Sequence, residues 1–436
     1  MRAARRLQVL GASLVVLAVA CTPGDPSITD SPDAAPSDTP PVASGETASP
    51  SESAPQLDEV TLEAPFDASL LVVGRYPNVE SRCVDAEQPR LRARYPGTLQ
   101  IERSDEGTLA LTVALPFDDY LKGIAEVPAS WPMAALEAQA IAARSYALAT
   151  TGWEGTEGEP LAEPICATTA CQVYRGIPLE RSPDTRRWYR AVRRTDGEVI
   201  VHNGRPAQTV YFSTSNGQTY GNEDVFGSDP LPYLRPVVER DDGASSLSRW
   251  TTDLRFEDLA RFLAEAGEWA GHRRISEVRL DGGTVRVSGE GRTRAMDLGT
   301  FRDGVNTYAH CLMPGRYPEH GMPTTIPSRW LSMESGRRVV TVRGRGWGHG
   351  AGMVQWGVYG KARRGLSAEQ ILAFYYGGFR PEPFPEPGQI RVEVASGLTS
   401  VRVRPSEPGA LLNGEPLPRG RVAISGGETI TVEPPA

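Results

Sequence analysis

The sequence predicts an α+β fold, because it contains both strand-like alternation and a long helix-like segment. Residues 59–119 alternate apolar and polar side chains, and Tyr95-Pro96-Gly97 interrupts the alternation, which is typical of strands joined by turns. The stretch from Met133 to Leu148 contains seven alanines. Pro132 in its first turn and Ser130 as N-cap mark the start of a helix.

The later elements follow the same mixture of patterns. Asn203-Gly204 joins strand-like residues 196–201 and 207–212 as a hairpin. The sequence further predicts a helix over 256–270, strands over 275–280, 284–288 and 338–342, a helix over 366–376 with Ser367 as N-cap, and short strands after Pro381. These patterns predict a main domain over 59–380, with an inserted segment at about 250–335, and a small β-rich C-terminal unit over 381–436.

The N-terminus has the composition of an export signal followed by a tether. A basic start and an apolar run that ends at Ala20 predict a signal over 1–21, with Cys21 as the lipidated residue. Residues 22–58 hold eight prolines, seven serines, seven acidic residues and no lysine or arginine, which predicts a disordered tether. We therefore expect a protein outside the cytoplasm, anchored by lipid to the outer face of the membrane or secreted. A lipid is the only membrane contact we expect.

Charge, cysteine and histidine content exclude several classes of protein. The tether accounts for most of the net charge of −8, so the rest is nearly neutral and lacks the basic surface of a nucleic-acid binder.

Four cysteines besides Cys21 favour two disulfides outside the cytoplasm. Of three possible pairings, the Cys-x4-Cys spacing favours Cys166 with Cys171, which leaves Cys83 with Cys311. None of the five histidines lies at metal-ligand spacing from another, so we expect no metal site.

The segment from Gly344 to Gly357 has the composition of a ligand-binding loop. It reads G-R-G-W-G-H-G-A-G-M-V-Q-W-G, with six glycines in fourteen residues. Glycine is costly inside helices and strands and is used where the backbone needs positive φ or a close approach. The alternative is a bulged hairpin whose tryptophans cap the core.

Several separated motifs resemble the SpoIID/LytB family. They are residues 120–132, 138–146, 171–176, 344–357 and 371–376, and the resemblance covers about 117–378. The family includes lytic transglycosylases, which cut the glycan strands of peptidoglycan, and amidase enhancers; one branch is related to sporulation. The resemblance implies a glycan groove lined by residues 213–219 and 344–357, with glycan strands as the partner.

The resemblance places the catalytic glutamate of the family's Glu-x-Pro motif on Glu126. Its neighbours Ile124, Ala125 and Val127 are apolar, so desolvation would raise its pKa and keep it protonated as a general acid. A lone glutamate before a Val-Pro turn is otherwise a surface residue. Hydrolytic glycosidases use two carboxylates, whereas in lytic cleavage the muramyl 6-hydroxyl replaces water and one carboxylate suffices. This reaction requires no cofactor.

The remaining polar and aromatic residues of the motifs are candidate sugar contacts. Trp347 and Trp356 would stack on sugars, and Lys122 would tune Glu126 or hold a carboxylate. The candidates for hydrogen bonds to the glycan are Gln139, Arg144, Ser213, Ser215, Asn216, Gln218, His349 and Gln355. For each of them, the alternative is that it satisfies buried backbone groups. Tyr146 and Tyr211 are interpreted as core residues with one polar end.

The other interpretations differ in class. The alternative to a lytic transglycosylase is a non-catalytic glycan-binding protein that enhances a partner amidase or another cell-wall hydrolase. A third is a wall scaffold that binds through residues 389–436. A cysteine nucleophile served by His349 is disfavoured by the even cysteine count. Some family members hold zinc near the segment that matches 166–172, but here that segment has two cysteines and no histidine, which favours the disulfide.

Overall fold

We analysed a computed structural model, which describes residues 57–65, 67–75, 91–124, 126–156, 161, 163–177, 183–270, 273–317, 324–417 and 419–433. The predicted signal, Cys21, nearly all of the tether and Cys83 lie outside the described residues and stay predictions. The described part confirms the α+β class. No helix within it is both long and apolar enough to cross a membrane.

The strands form two larger sheets and four small ones. Their bounds are β1 Glu59–Glu63, β2 Leu70–Arg75, β3 Arg92–Tyr95, β4 Thr98–Arg103, β5 Leu109–Pro116, β6 Ile165–Cys166, β7 Glu198–His202, β8 Arg205–Pro206, β9 Tyr211–Phe212, β10 Trp250–Arg255, β11 Glu277–Asp281, β12 Thr284–Gly289, β13 Arg292–Asp297, β14 Leu331–Ser335, β15 Val339–Gly344, β16 Met353–Val354, β17 Pro381–Pro383, β18 Gln389–Leu398, β19 Ser400–Pro405, β20 Leu411–Leu412, β21 Glu415–Pro416, β22 Val422–Ser425 and β23 Thr431–Glu433.

Eight helices lie in the described part of the chain. They are α1 Phe117–Gly123, α2 Met133–Thr150, α3 Pro183–Arg194, α4 Asn222–Phe226, α5 Phe256–Glu265, α6 Leu298–Leu312, α7 Gln355–Arg363 and α8 Ala368–Tyr375. The predicted start of α2 at Met133 is correct, but Pro132 occupies the N-cap position and no side chain caps the helix, so Ser130 does not have the predicted role. Ser367 caps α8 as predicted, in a reciprocal capping box with Gln370.

The two larger sheets combine strands from both ends of the chain. The seven-stranded sheet has the order β21-β20-β1-β4-β5-β18-β6, and the five-stranded sheet has the order β23-β22-β19-β2-β3. The C-terminal segment is β-rich as predicted. It is not a separate unit, however, because β18 pairs with β5, β19 with β2 and β20 with β1. These C-terminal strands complete sheets that the N-terminal strands begin.

Helix α2 lies at the centre of the main core. Almost all of its residues from Ala135 to Leu148 are buried, and its small side chains let α3, α7, α8 and β7 pack closely around it. A second hydrophobic core between Leu247 and Val342 is built from α5, α6 and strands β10–β15. Its last strand, β15, leads into the glycine-rich segment.

Candidate functional site

Glu126 lies in the turn between α1 and α2 and is held by the segment that follows Cys171. The backbone of Ile124 forms a β-bridge with that of Tyr174, and the N–H of Val173 donates a 2.8 Å hydrogen bond to Glu126 Oε1. Gly123 permits this approach, because a Cβ atom there would lie 2.2 Å from the Tyr174 ring. The close packing between the two segments therefore positions the carboxyl.

The carboxyl of Glu126 is in an environment suited to a general acid. Burial raises its pKa to about 7, and the hydrogen-bonding contributions of Tyr211 and Val173 only partly oppose that effect. Oε2 is buried and has no hydrogen-bond partner among the described residues. Because the Val173 N–H occupies Oε1, the proton of the neutral acid is best accommodated on Oε2.

A buried hydrogen-bond network surrounds this carboxyl. The Tyr211 hydroxyl faces Glu126 and receives a 2.9 Å hydrogen bond from Gln172 Nε2. Gln172 Oε1 in turn accepts a 2.7 Å bond from the Tyr120 hydroxyl. The sequence predicts Tyr211 only as a core residue with one polar end and predicts no role for Gln172. Gln172 lies inside the 171–176 motif and Tyr211 lies shortly before the 213–219 segment, and these positions are the signal in the sequence that could have indicated their roles.

The two predicted walls of the groove lie side by side. Strand β16 pairs in parallel with β9, with Met353 opposite Tyr211, and the backbones of Trp347 and Thr214 exchange hydrogen bonds of 2.8 and 3.1 Å. Gly352 has φ +74°, and a Cβ atom there would lie 2.1 Å from the Val210 carbonyl oxygen. Glycine is thus required for the loop to pair with the strand that carries Tyr211.

His349 is a positioning residue rather than the predicted sugar contact. Its Nδ1 accepts a 3.2 Å hydrogen bond from the Ala351 N–H, which makes Nε2 the protonated nitrogen that donates to the Tyr211 carbonyl oxygen at 2.8 Å. Burial lowers its pKa to about 4, so the ring is neutral near pH 7. Both ring nitrogens are used within the protein, which leaves none for a sugar or a metal.

The two tryptophans of the glycine-rich segment differ in their surroundings. Trp347 is 37% exposed and offers an aromatic face to solvent, as a sugar platform requires. Trp356 packs against Trp131, with ring centroids 5.1 Å apart, and against Tyr359 at 5.5 Å. Much of the Trp356 ring is therefore used in packing.

Two of the glutamines that are candidate glycan contacts lie close to each other. Gln355 Nε2 approaches Gln139 Oε1 at 3.5 Å, at the limit of a hydrogen bond. Gln139 is 1% exposed, and its Nε2 has no partner among the described residues. The structure thus brings these two candidates together, with a buried donor that is not satisfied.

Arg144 and Lys122 do not have the predicted surroundings. Arg144 is fully buried, with hydrogen bonds of 3.2 Å to Thr195 Oγ1 and the Val192 carbonyl, and its Nε lies 2.5 Å from Glu386. It joins α2 to α3 and the C-terminal segment, so it cannot reach a sugar. Lys122 pairs with Asp118 at 2.6 Å and Asp119 at 2.9 Å along α1. It is not among the groups that shift the pKa of Glu126.

The polar residues of the 213–219 segment mostly fix the segment itself. The Ser215 hydroxyl donates to Asp242 at 2.7 Å and accepts from the Gly217 N–H, so its only donor is used within the protein, and its contact with sugar stays a prediction. Asn216 Nδ2 donates to the Tyr220 hydroxyl at 2.7 Å, and its Oδ1 is buried with no partner among the described residues. Ser213 is partly buried beside Thr214, and Gln218 is exposed. Ser213 and Gln218 therefore stay candidates for glycan contacts.

A disulfide precedes the Gln172–Val173 pair. Cys166 and Cys171 are joined, with Cα atoms 5.5 Å apart, in agreement with the pairing that their spacing favours. The pairing of Cys83 with Cys311 involves a residue outside the described ones and stays a prediction. Within the described ranges, no group of three or more His, Cys, Asp or Glu side chains is arranged to hold a metal ion.

Comparisons with known proteins agree with this geometry. The sequence profile of the family described as Stage II sporulation protein, SpoIID, matches residues 105–202, a range that contains Glu126 and Gln172. An uncharacterized protein of Brachyspira hyodysenteriae is 30% identical over 277 residues, which cover 62% of this chain and 68% of that protein. A Stage II sporulation protein D of Bacillus subtilis is 27% identical over 273 residues, 61% of this chain and 74% of its own length.

The same comparisons include an amidase enhancer of Bacillus subtilis, which is 28% identical over 298 residues. The aligned region covers 59% of this chain but only 39% of the enhancer. The family profile and these relatives together define the class of protein. The chain belongs to the SpoIID/LytB family.

Proposed function

We propose that this protein is a peptidoglycan lytic transglycosylase that cleaves the MurNAc–GlcNAc bond and leaves 1,6-anhydromuramyl ends. The observation that carries the proposal is Glu126, whose pKa burial raises to about 7 and whose Oε2 has no hydrogen-bond partner among the described residues. A carboxyl with these properties holds a proton near neutral pH on the oxygen that is free to donate it.

The reaction needs only this carboxyl. Oε2 gives its proton to the glycosidic oxygen as the bond between C1 of the muramyl residue and that oxygen breaks. The muramyl O6 then bonds to C1, and its hydroxyl proton passes to the Glu126 carboxylate, which restores the acid. Water is neither consumed nor released, so the proton count balances within each turnover.

A lytic reaction requires one carboxylate, because the muramyl 6-hydroxyl takes the place of water, whereas hydrolytic glycosidases use two. Two-carboxylate glycosidases hold their acidic residues about 5 to 9.5 Å apart. Within the part of the chain that the structure describes, no other carboxylate contributes to the pKa shift of Glu126. Trp347, exposed in the 344–357 segment, supports a sugar as the ligand.

Product analysis tests the proposal. The protein is incubated with purified glycan strands, with and without stem peptides, in water enriched in oxygen-18, and the products are analysed by mass spectrometry. We expect anhydromuramyl ends that carry no oxygen-18 and resist borohydride reduction. Reducing muramyl ends that contain the label would instead identify a hydrolase, and intact strands would remove the enzymatic proposal altogether.

The activity should also depend on pH in a defined way. Burial raises the Glu126 pKa to about 7, and the acid form is the active one, so kcat/KM should fall about tenfold per pH unit above about pH 7. Burial lowers the pKa of His349 to about 4, so His349 stays neutral over the pH range of the measurement. Rates on soluble glycan measured from pH 5 to 9 give the profile, and a rate that rises through pH 7 would contradict this assignment.

The second candidate function is that of an amidase enhancer, which the relative of that name favours. In that case the groove would bind glycan strands without cleaving them, and the partner would be a cell-wall amidase. A Glu126→Gln protein separates the two functions, because an enhancer would still stimulate the amidase.

A further inference from the structure

The side-chain amide of Gln172 has a single orientation that satisfies its neighbours. Gln172 is fully buried. Its Nε2 lies 3.1 Å from the Ala143 carbonyl oxygen and 2.9 Å from the Tyr211 hydroxyl, while Oε1 lies 2.7 Å from the Tyr120 hydroxyl. A flipped amide would set its oxygen against the Ala143 carbonyl, and two acceptors cannot form a hydrogen bond. Both N–H groups are therefore committed, one to Ala143 and one to Tyr211.

This orientation fixes the direction of the Tyr211 proton. Because the Tyr211 oxygen accepts a hydrogen from Gln172, its own O–H must point elsewhere. The interaction of Tyr211 with the Glu126 carboxyl lowers the pKa of that carboxyl, as a donor to its charged form does. The Tyr120 proton is likewise committed to Gln172 Oε1, so it does not compete.

The neighbouring residue, Val173, reaches the same carboxyl directly. Its N–H donates to Glu126 Oε1 at 2.8 Å, so two adjacent residues act on Glu126, one through the backbone and one through Tyr211. The disulfide that ends at Cys171 and the bridge between Ile124 and Tyr174 fix this short segment on both sides. The segment is thus rigid where it contacts the acid.

We propose that Gln172 is a positioning residue that turns the Tyr211 hydroxyl proton onto Glu126 and so stabilises the carboxylate left after the first proton transfer. The catalytic part of this inference rests on the proposed function. The effect on the ionisation of Glu126 does not.

The other titratable groups around Glu126 will not obscure the test. The side chains that interact electrostatically with it are Tyr120 from α1, Tyr146 from α2 and Tyr211 from β9. Burial raises the pKa of each tyrosine, so all three stay neutral between pH 4 and 9. Within that range, Glu126 is the member of the cluster that titrates.

The test is a double-mutant cycle read by carbon-13 NMR titration of the Glu126 carboxyl in the full-length protein. Gln172→Met and Tyr211→Phe should each raise the midpoint by about one pH unit, a tenfold gain in proton affinity, because a donor to the charged form is lost. In the Tyr211→Phe background, Gln172→Met should add nothing further. Gln100→Met, a matched change on β4, should leave the midpoint unchanged.

Equal shifts from Gln172→Met in both backgrounds, or no shift from either substitution, would overturn the inference. If Gln172→Met does not fold, as judged by near-ultraviolet circular dichroism, Tyr211→Phe alone decides whether the hydroxyl acts on Glu126. In the enzymatic assay, kcat of Gln172→Met should fall about tenfold with KM unchanged, and the pH limit should move upward with the NMR midpoint. If Gln172→Met raises the Glu126 midpoint as expected but the wild type forms no anhydromuramyl product, the proposed function is rejected and the positioning role is supported.

Discussion

Glu126→Gln should lower the turnover of glycan strands by about 10²- to 10⁴-fold, the usual contribution of a general acid. Glutamine has the same shape, and its amide oxygen can accept the Val173 N–H that Oε1 accepts now at 2.8 Å. Its amide nitrogen then replaces Oε2 and has no acidic proton to give. Glycan binding should be retained, which a pull-down with insoluble peptidoglycan would measure alongside the rate.

The matched control is Glu137→Gln on helix α2. Glu137 pairs with Arg194 at the surface, at 3.2 Å, and this change should leave the rate within about twofold. Stimulation of an amidase by Glu126→Gln, with no anhydromuramyl product from either form, would favour the enhancer. Unchanged product formation by Glu126→Gln would show that the acid lies elsewhere.

Stability gives an independent signature of the same residue. The pKa of Glu126 is raised in the folded state to about 7 from an ordinary value near 4.5. Its contribution to stability is therefore fully present below about pH 4.5 and is lost as pH rises through about 7. Glu126→Gln should remove this part of the pH dependence, which urea unfolding at pH 5 and pH 8 would detect.

Lys361→Met should destabilise the folded protein by about 3 to 5 kcal/mol, the usual cost of breaking a buried ion pair. Lys361 Nζ lies 2.9 Å from both carboxylate oxygens of Glu239 and 3.1 Å from Asp241, and both Lys361 and Glu239 are 3% exposed. Removing the ammonium leaves a buried carboxylate supported only by the Tyr375 hydroxyl and backbone N–H groups. Urea unfolding should show a lower midpoint with an unchanged slope.

The chain's only other lysine provides the matched control. Lys122 forms its ion pairs at a partly exposed position on α1, so Lys122→Met should cost only about 0 to 1 kcal/mol. The Lys361 substitution should also slow turnover, because the Glu239 N–H supports the Gly217 carbonyl in the 213–219 wall. Equal losses of stability from the two substitutions would contradict the argument.

Local sequence patterns predicted most elements but not their long-range partners. The start of α2, the cap of α8 and the hairpin turn at Asn203-Gly204 each depend on residues within a few positions, and the structure has all three. The pairing of β5 with β18 joins residues more than 270 positions apart. Alternating side chains indicate a strand but not its neighbour, so the C-terminal strands were interpreted as a separate unit.

The sequence predicted only part of the candidate site, for a related reason. A polar residue in a dense motif can serve a ligand or the protein's own backbone, and sequence does not distinguish the two. Arg144 and His349 prove to serve the protein itself. Tyr211 packs against the core and has one polar end, as predicted, but the sequence does not indicate which groups its hydroxyl contacts in the assembled fold.

The interleaving of the terminal strands has a kinetic consequence for how the protein matures. The strand that pairs with β5 spans residues 389–398, and β23, the C-terminal edge strand of the five-stranded sheet, spans 431–433. Neither large sheet can be completed until nearly all of the chain has been delivered. Contacts so distant in sequence also form slowly, because a long loop must close first. Completion of the two sheets should therefore follow synthesis rather than accompany it, and nascent chains truncated before residue 389 should stay protease-sensitive.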